Sequence, residues 1–558
     1  MRLNRIILLF LLSANLLFAQ DIGTTKVRVV EGFKATIPEA TRLNSKATFS
    51  DTIKKDRAQE YKFIANDLKS DYKTRPLKAA KVKPDKIPKL YQSRISLGTG
   101  YRVGSKISAI YNSTRSKDMS YGVVFNHFNN NVKIDKKLAG KSNNNLHLYA
   151  KKIKKDKIYI ANLDYERIGV FTYGIGTEKK DIEGFENNPY LNRFAYTKLS
   201  ISSISTDKMS DKMIRNTTFF ISDLNERSEN QIHLSSNLNK TINDLPFSLE
   251  IKLNSYLRYN NADTKFEKTD LKRLSFLPST FIEKFGIDFE LSVDFDFTAD
   301  SPIGFFPQIK ATKELVRDVL LVFGGLRHSQ QIHTFKSLSN ENPYIHSFGT
   351  NQSILGSNSF LQKLEITDIQ ELYVGMRNVL GKGEVLESSI ACGTVQNFAH
   401  FVGLTDDNYN RFQVNYIDVK QLHTTANYDR EINNIISLNV KADYYKWDKE
   451  VYHKPNLSFA VSAPVNLRNK IKVAPSLTYV GKRKSINYSI SELGFPLNPP
   501  LSKELSPQFY SNLGLYYSYS KQISAYFQFN NLTNSKQEIW SGYKEVGFNA
   551  NFGLSYSF

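Results

Sequence analysis

The chain has 558 residues, 75 Lys and Arg against 54 Asp and Glu, a net charge of +21, and one cysteine, Cys392. A lone cysteine excludes an intrachain disulfide framework, and the length suits either several globular domains or one large barrel. So basic a balance would ordinarily point to nucleic acid, but the export signal at the start of the chain argues against that partner. Two readings remain: Lys and Arg on loops and rims that face anionic lipid headgroups, or a lysine-rich composition with no specific partner.

Arg2 and Arg5 precede the apolar run IILLFLLSANLLF, which is followed by Ala19 and Gln20. This is the layout of a signal peptide over residues 1–19, exported by the Sec pathway and cleaved after Ala19. The run is shorter than the ~20 residues that a helical bilayer span needs. Residues 20–90 carry Pro38, Pro76, Pro84 and Pro88 among many Lys, Thr and Asp, the composition of an extended or partly disordered segment. Its one strand-like piece is TTKVRVVEG, where Val27 and Val29 alternate with Lys26 and Arg28. These two valines mark a candidate partner-binding strand.

From about Tyr91 the texture changes to short alternating runs separated by polar turns. In FGIDFELSVDFDF, Phe285, Ile287, Phe289, Leu291, Val293, Phe295 and Phe297 share one parity, against Asp288, Glu290, Asp294 and Asp296 on the other. A period of two is the mark of a strand with one apolar face. The pattern returns in PFSLEIKLNSYLRY, NIISLNVKADYY, NLSFAVSAPV and QISAYFQFNN. Runs of this kind number on the order of 20, each about 9–12 residues, the length of a tilted strand crossing the hydrocarbon layer. Sandwich domains would recur in units of roughly 100 residues with visible boundaries. The expected fold is therefore all-β, one large transmembrane antiparallel β-barrel over residues 91–558. Long stretches near residues 166–192, 330–362 and 482–506 are expected on the extracellular side, and tight turns such as RNVLGKGE and YSKQ on the periplasmic side.

The chemistry motifs are negative. No H-E-x-x-H, G-x-S-x-G, P-loop or paired C-x-x-C occurs, and the nine histidines are scattered, with His328 and His333 a near pair. The sequence points to no catalytic, cofactor or metal site and to no enzyme. The polar strand face is more informative. Asp288, Glu290, Asp294 and Asp296 form a candidate lumen-facing row, and Lys252 and Arg258 on the run PFSLEIKLNSYLRY are its candidate cross-strand cations. The row reads either as a salt-bridge ladder that stiffens the wall or as a contact for a solute or cation.

The chain ends EVGFNANFGLSYSF, in which Val546, Phe548, Phe552, Leu554, Tyr556 and Phe558 share one parity. This run is expected to be the barrel-closing strand, facing lipid with that side and pairing with SRISLGTGY at the start of the barrel. The last 36 residues, ISAYFQFNNLTNSKQEIWSGYKEVGFNANFGLSYSF, resemble the final two strands of TonB-dependent receptors, especially receptor-like barrels of Bacteroidota. The residues that carry the resemblance are Asn531, Leu532, Thr533, Asn534, Trp540, Gly542, Tyr543 and Phe558. ELYVGMRNVLGKGEVLESSIACGTVQNFAHFV and LTYVGKRK look like barrel segments of the same family.

The resemblance implies an outer-membrane barrel of about 22 strands (range 18–22) whose last strand is read by the barrel-assembly machinery. Full receptors place a folded plug before the barrel, and residues 20–90 are too few and too polar to be one. They are then a periplasmic segment or strap. Two functions follow: a receptor-like barrel taking part in solute uptake or passage across the outer membrane, or a non-transporting scaffold that docks to a periplasmic or outer-membrane protein through its N-terminal arm.

Overall fold

The computed structural model describes residues 90–558 except 115, 136, 175–190, 207–212, 226–228, 259–270, 299–302, 346–364, 407–408 and 491–495. The signal peptide and the segment with Val27 and Val29 lie outside the described residues. The rest is a closed antiparallel barrel of 22 wall strands, each paired with its neighbours in sequence. Val465–Leu467 continues Leu457–Ser462 on the same partner, Ile471–Val480.

Closure is made by Ser93–Tyr101 against Asn549–Ser557, in register from Arg94↔Ser557 to Tyr101↔Ala550. The chain end is tied in as well: the Phe558 amide donates to the Ser93 carbonyl at 2.9 Å, and the Gln92 and Ser93 amides donate to the Phe558 carbonyl. The seam has a packing device of its own. Gly98 and Gly553 face each other, and Tyr526 of Ile523–Asn530 pairs with Gly553. A Cβ at Gly98 would lie 2.2 Å from the Tyr526 hydroxyl oxygen, and one at Gly553 2.5 Å from its ring. The two glycines thus form the bed on which this tyrosine lies across the closing strands.

The outside of the wall is apolar where the sequence alternates. Leu97 is 56% exposed, Leu372 61% and Leu554 65%, each on the face away from the lumen. A continuous belt of such residues in water would be an aggregation surface; in lipid it is the required face of a spanning strand. Among the described residues no helix is long and apolar enough to cross a membrane.

The two ends of the barrel differ. At one, strands are joined by tight turns such as Asn243–Asp244, Phe285–Gly286 and Lys382–Gly383, and both Gln92 and Phe558 lie at that end. YSKQ and RNVLGKGE fall there. The described parts of the three longer stretches singled out above all fall at the other end. Phe285 departs from its expected place on the apolar face: it stands in the turn with positive φ and is 83% exposed. Gly286 follows it at φ 66°, so the ladder starts only at Ile287.

We predict that Gly98→Val or Gly553→Val lowers the temperature at which the folded band is lost in a heat-modifiability gel. Unchanged resistance in both variants would show that closure does not use the glycine bed.

Candidate functional site

Most wall strands are 9 to 15 residues long, but Glu384–Asp406 and Tyr409–Glu431 have 23 each. Only about 9–11 residues are needed to cross lipid, so their far halves must go elsewhere. The hairpin formed by Leu320–Ile332 and Ile366–Gly381 shows where. Leu326 and Leu372 point outward, and by strand parity His328, Gln330 and Asp368 should do the same. Instead Gln330 donates to Asp296 at 2.8 Å, His328 Nδ1 lies 3.4 Å from Asp294, and the His328 ring stacks on Phe306 with centroids 3.7 Å apart. Asp294, Asp296 and Phe306 belong to the lumen face of the neighbouring wall. Ile332 and Ile366 likewise pack on Tyr256 and Leu271 of that face.

The far half of the hairpin has therefore bent across the lumen and laid its back on the wall. The cause is local. Pairing of Gly304–Val316 with this hairpin stops at Ile309↔Leu326, and Pro307, two residues on, has no N–H to continue the ladder.

The carboxylate row takes its cations from places the sequence did not suggest. Arg273 on Leu271–Lys284 holds Asp296 at 2.6 Å and Asp294 at 3.8 Å, all three buried, and Ser275 donates to Asp294 at 3.0 Å. Glu290 pairs loosely with Lys310 at 3.9 Å. Asp288 sits at the tight-turn end, opposite Glu283 and Thr312. Lys252 is not the partner: it bonds Glu250 at 2.7 Å, because the intervening strand Leu271–Lys284 separates it from the acids. Arg258 ends Leu245–Arg258 in register with Glu229, one strand further off, and its side chain lies outside the described residues. The arginine that matters stood in LKRLSF, a stretch whose alternation is interrupted by Pro278.

Above this latch lies a dry core. Phe194 and Leu224 from the wall, Phe335, Leu338 and Ile345 from the helix Phe335–Glu341 and its exit, Phe401 and Phe412 from the 23-residue strands, and Trp540 and Tyr543 form one buried cluster. Leu191–Ser205 is the sixth wall strand and Tyr409–Glu431 the sixteenth of 22, so the cluster reaches across the mouth. The helix is held at its start by Thr334, whose side chain accepts from the Ser337 amide, and by Glu229, which accepts from the Phe335 amide at 2.6 Å. A carboxylate there satisfies otherwise unpaired N–H groups and complements the helix dipole. Lys336 pairs with Glu166 of the wall.

The last hairpin, Glu538–Trp540 with Tyr543–Lys544, is the keystone. Tyr543 stacks on Tyr344 at 3.8 Å, Tyr173 donates to the Lys544 carbonyl at 2.7 Å, and Lys544 pairs with Asp135 at 2.7 Å. Arg483 donates to the carbonyls of Ile539 and Glu538 at 2.7 and 2.9 Å.

The Asn531 to Asn534 motif explains how the chain enters this hairpin. Asn531 and Asn534 both take φ 51°. Asn531 Oδ1 accepts from the Ser535 amide, and Asn534 Oδ1 accepts from the Phe548 amide at 2.9 Å. The two asparagines thus tie the exit and return of the hairpin together. This also corrects the expected closing strand. It begins at Asn549; Val546 and Phe548 precede it, parted by Gly547 at φ 31°, and Val546 lines the interior. Phe552, Leu554, Tyr556 and Phe558 do face outward, while Asn551 and Ser555 are buried on the lumen side.

Between cap and wall is a cavity of about 530 Å³ lined by Tyr173, Tyr344, Trp540, Arg102, Lys141 and Glu545 among others, a size suited to a small ligand. Burial pushes the Glu545 carboxyl above the usual carboxylate range, against Tyr510 and Lys141, which act the other way.

No protein-family model matches the chain, and no curated protein matches it in sequence. Solved structures do. A ferric enterobactin receptor mutant from Pseudomonas aeruginosa in complex with enterobactin is similar with a TM-score of 0.61 at 12% identity, over 84% of this chain and 81% of that one. The siderophore receptor PirA from Acinetobacter baumannii gives 0.58 at 12% identity over 85% and 81%. The ferric-catecholate import receptor Fiu from E. coli, in a closed form, gives 0.57 at 10% over 84% and 82%. At these identities the likeness is one of fold.

Two predictions test the cap. Removing Arg273 leaves two buried carboxylates facing each other, a loss of about 3–5 kcal/mol. Arg273→Leu should lower the denaturant midpoint of the tryptophan transition, and Asp294→Asn with Asp296→Asn in the same chain should recover most of it; no recovery would separate the latch from the cap. The second concerns acid. His453 donates from Nδ1 to the Phe401 carbonyl at 2.9 Å, lies against Phe412 and Trp540, and has Arg483, Lys454 and His400 as charged or titratable neighbours. Burial lowers its pKa to about 4, and that of His333 likewise to about 4. Freed into water each returns to about 6.5. The neutral rings thus stabilise the cap fully above pH ~6.5, and that contribution is lost as pH falls towards 4. In a Trp447→Phe chain, Trp540 emission should shift red over that window, and His453→Phe should blunt the shift. A flat profile in the parent chain would rule the coupling out.

Proposed function

We propose that the chain is an outer-membrane barrel of the TonB-dependent receptor type that takes part in solute uptake, with the in-folded cap as its gate. The observation that carries this reading is the cap itself: the barrel's own strands and last hairpin bend across the mouth and, with the wall, line a ligand-sized open cavity. The fold likeness to siderophore receptors supports it. The tight-turn end, with both barrel termini, is then periplasmic and the capped end faces the medium.

We read the chain further as a receptor-like barrel of the Bacteroidota kind that departs from full receptors in having no full-length plug, so that the cap supplies part of the occlusion a plug would give. Its partners are outer-membrane lipid, the assembly machinery during insertion, and a periplasmic or outer-membrane protein met through the segment around Val27 and Val29. The function is transport rather than catalysis.

Planar bilayer recording of the mature chain tests the gate. The parent barrel should conduct poorly, and deleting residues 536–545 should raise conductance sharply. If removing residues 20–89 alone opens the parent to the same degree, occlusion belongs to that segment and not to the cap. A barrel silent in every form and purified with a stoichiometric partner would favour the scaffold reading instead.

A further inference from the structure

The outer face of the wall carries a feature that uptake does not use. On Lys157–Phe171, Leu163 and Tyr165 are exposed on the lipid side, and Arg167 is the next residue on that face. On Leu191–Ser205, Ile201 and Leu199 are exposed on the same side, followed towards the capped end by Thr197, Ala195 and Arg193. The register sets Arg167 opposite Ala195 and Gly169 opposite Arg193. The two arginines are therefore diagonal neighbours on one face, within reach of a shared ligand for side chains of this length.

They line a cavity of about 260 Å³ together with Asn129, Ser142, Asn144 and Gly169. Glycine keeps the floor open, since a Cβ at Gly169 would lie 2.9 Å from Ser142 Oγ. Asn144 is oriented by His127, whose Nδ1 lies 2.6 Å from Asn144 Oδ1, and His127 is held in turn by Ser105 at 2.9 Å. That leaves the Asn144 amide N–H groups as donors at the cavity.

Several cations of the capped end have a carboxylate: Lys336 has Glu166, Lys544 has Asp135, Lys454 has Glu341 and Lys503 has Glu538. Arg167 and Arg193 have none among the described residues, and the nearby acids Asp164 and Glu166 lie on the opposite, lumen face. Two adjacent unpaired guanidiniums repel each other unless an anion bridges them, and guanidinium geometry suits the oxygens of phosphate.

We propose that Arg167 and Arg193 form a phosphate-binding site on the outer rim of the barrel and that its ligand is the phosphorylated headgroup of a lipid in the surrounding leaflet. The position selects the lipid over a free anion. The site stands one outward residue beyond Tyr165, about 7 Å up the strand at 3.3 Å per residue, where the exposed apolar run of Leu163, Tyr165, Leu199 and Ile201 gives way to Arg167, Thr197 and Arg193; Phe171 and Leu191, further on, line the same cavity. A lipid whose phosphate sits there lays its acyl chains on Leu163, Tyr165, Leu199 and Ile201.

The test compares the parent barrel with R167Q/R193Q and R167K/R193K, each first shown to give a heat-modifiable folded band. Lipid retention is read by native mass spectrometry with diphosphorylated lipid A, with the same glycolipid after dephosphorylation, and with inorganic phosphate as competitor. The parent should retain the phosphorylated lipid about tenfold or more over the dephosphorylated one, as expected for lost charge-assisted hydrogen bonds. R167Q/R193Q should lose that preference, and R167K/R193K should fall between. Equal retention by parent and R167Q/R193Q would overturn the site. Displacement by millimolar inorganic phosphate would keep the anion site and overturn its lipid ligand.

Discussion

In a hydrocarbon layer every backbone N–H and C=O must find a partner within the protein, and the rest of this structure depends on that constraint. A sheet in lipid can meet it only by having no edge, so Ser93–Tyr101 must find Asn549–Ser557 although more than 400 residues separate them. The cost of that long-range closure explains why the seam is specified so tightly. Alternation on both strands fixes which faces meet. The Gly98 and Gly553 bed then admits the Tyr526 ring only in one register, since a slip by one residue would set the ring against Leu97 or Leu554.

Closure constrains only the part of each strand that lies in lipid. Beyond it the wall is free to part, and here it parts where a proline interrupts the ladder. With Pro307 unable to donate, the hairpin of Leu320–Ile332 and Ile366–Gly381 leaves its neighbour and folds over the lumen. Its outward-parity side chains then need partners on a surface built to face water. The Arg273, Asp294, Asp296, His328 and Gln330 cluster supplies them. Such a buried ionic group is a poor source of net stability, and its better use is to fix the position at which the bent hairpin comes to rest. The stability of the cap comes instead from its aromatic and aliphatic core, where burying each large side chain gives about 1.5–3 kcal/mol.

The barrel was legible because its signal is periodic and repeated. Strands such as Ile287–Thr298, Leu245–Arg258 and Ile523–Asn530 announce themselves by period two, and lipid on one face favours that pattern in strand after strand of the barrel. The cap was not legible, because residues such as His328 and Asp368 keep the parity of the wall while the backbone beneath them turns over. Arg273 is hidden in the sequence for a related reason. Leu271–Lys284 carries Pro278 and a weak alternation, so it did not read as the strand beside the acids. The Asn531 to Asn534 motif lay between these cases: it was visible as a resemblance, but its role in sending Trp540 and Tyr543 into the mouth is a matter of hydrogen bonds that spacing does not reveal.

The arrangement separates two jobs that one device would otherwise share. A plug that only fills a lumen leaves the wall intact when it moves, whereas this cap is continuous with the wall through the strands Glu384–Asp406 and Tyr409–Glu431. It cannot leave as a body. Motion must instead pass through the elements joined to it by fewer backbone bonds, and the hairpin at Glu538–Lys544 is the clearest of these: its two short strands pair with each other alone, outside the barrel sheet. That hairpin also carries Trp540 and Tyr543 into the core and leads directly into the closing strand. A ligand in the cavity beside it would touch Trp540 and Tyr344 on one side and the wall on the other. Binding energy there would act on the one hairpin of the cap whose strands stand outside the barrel sheet, while the latch at Arg273 holds the rest in place.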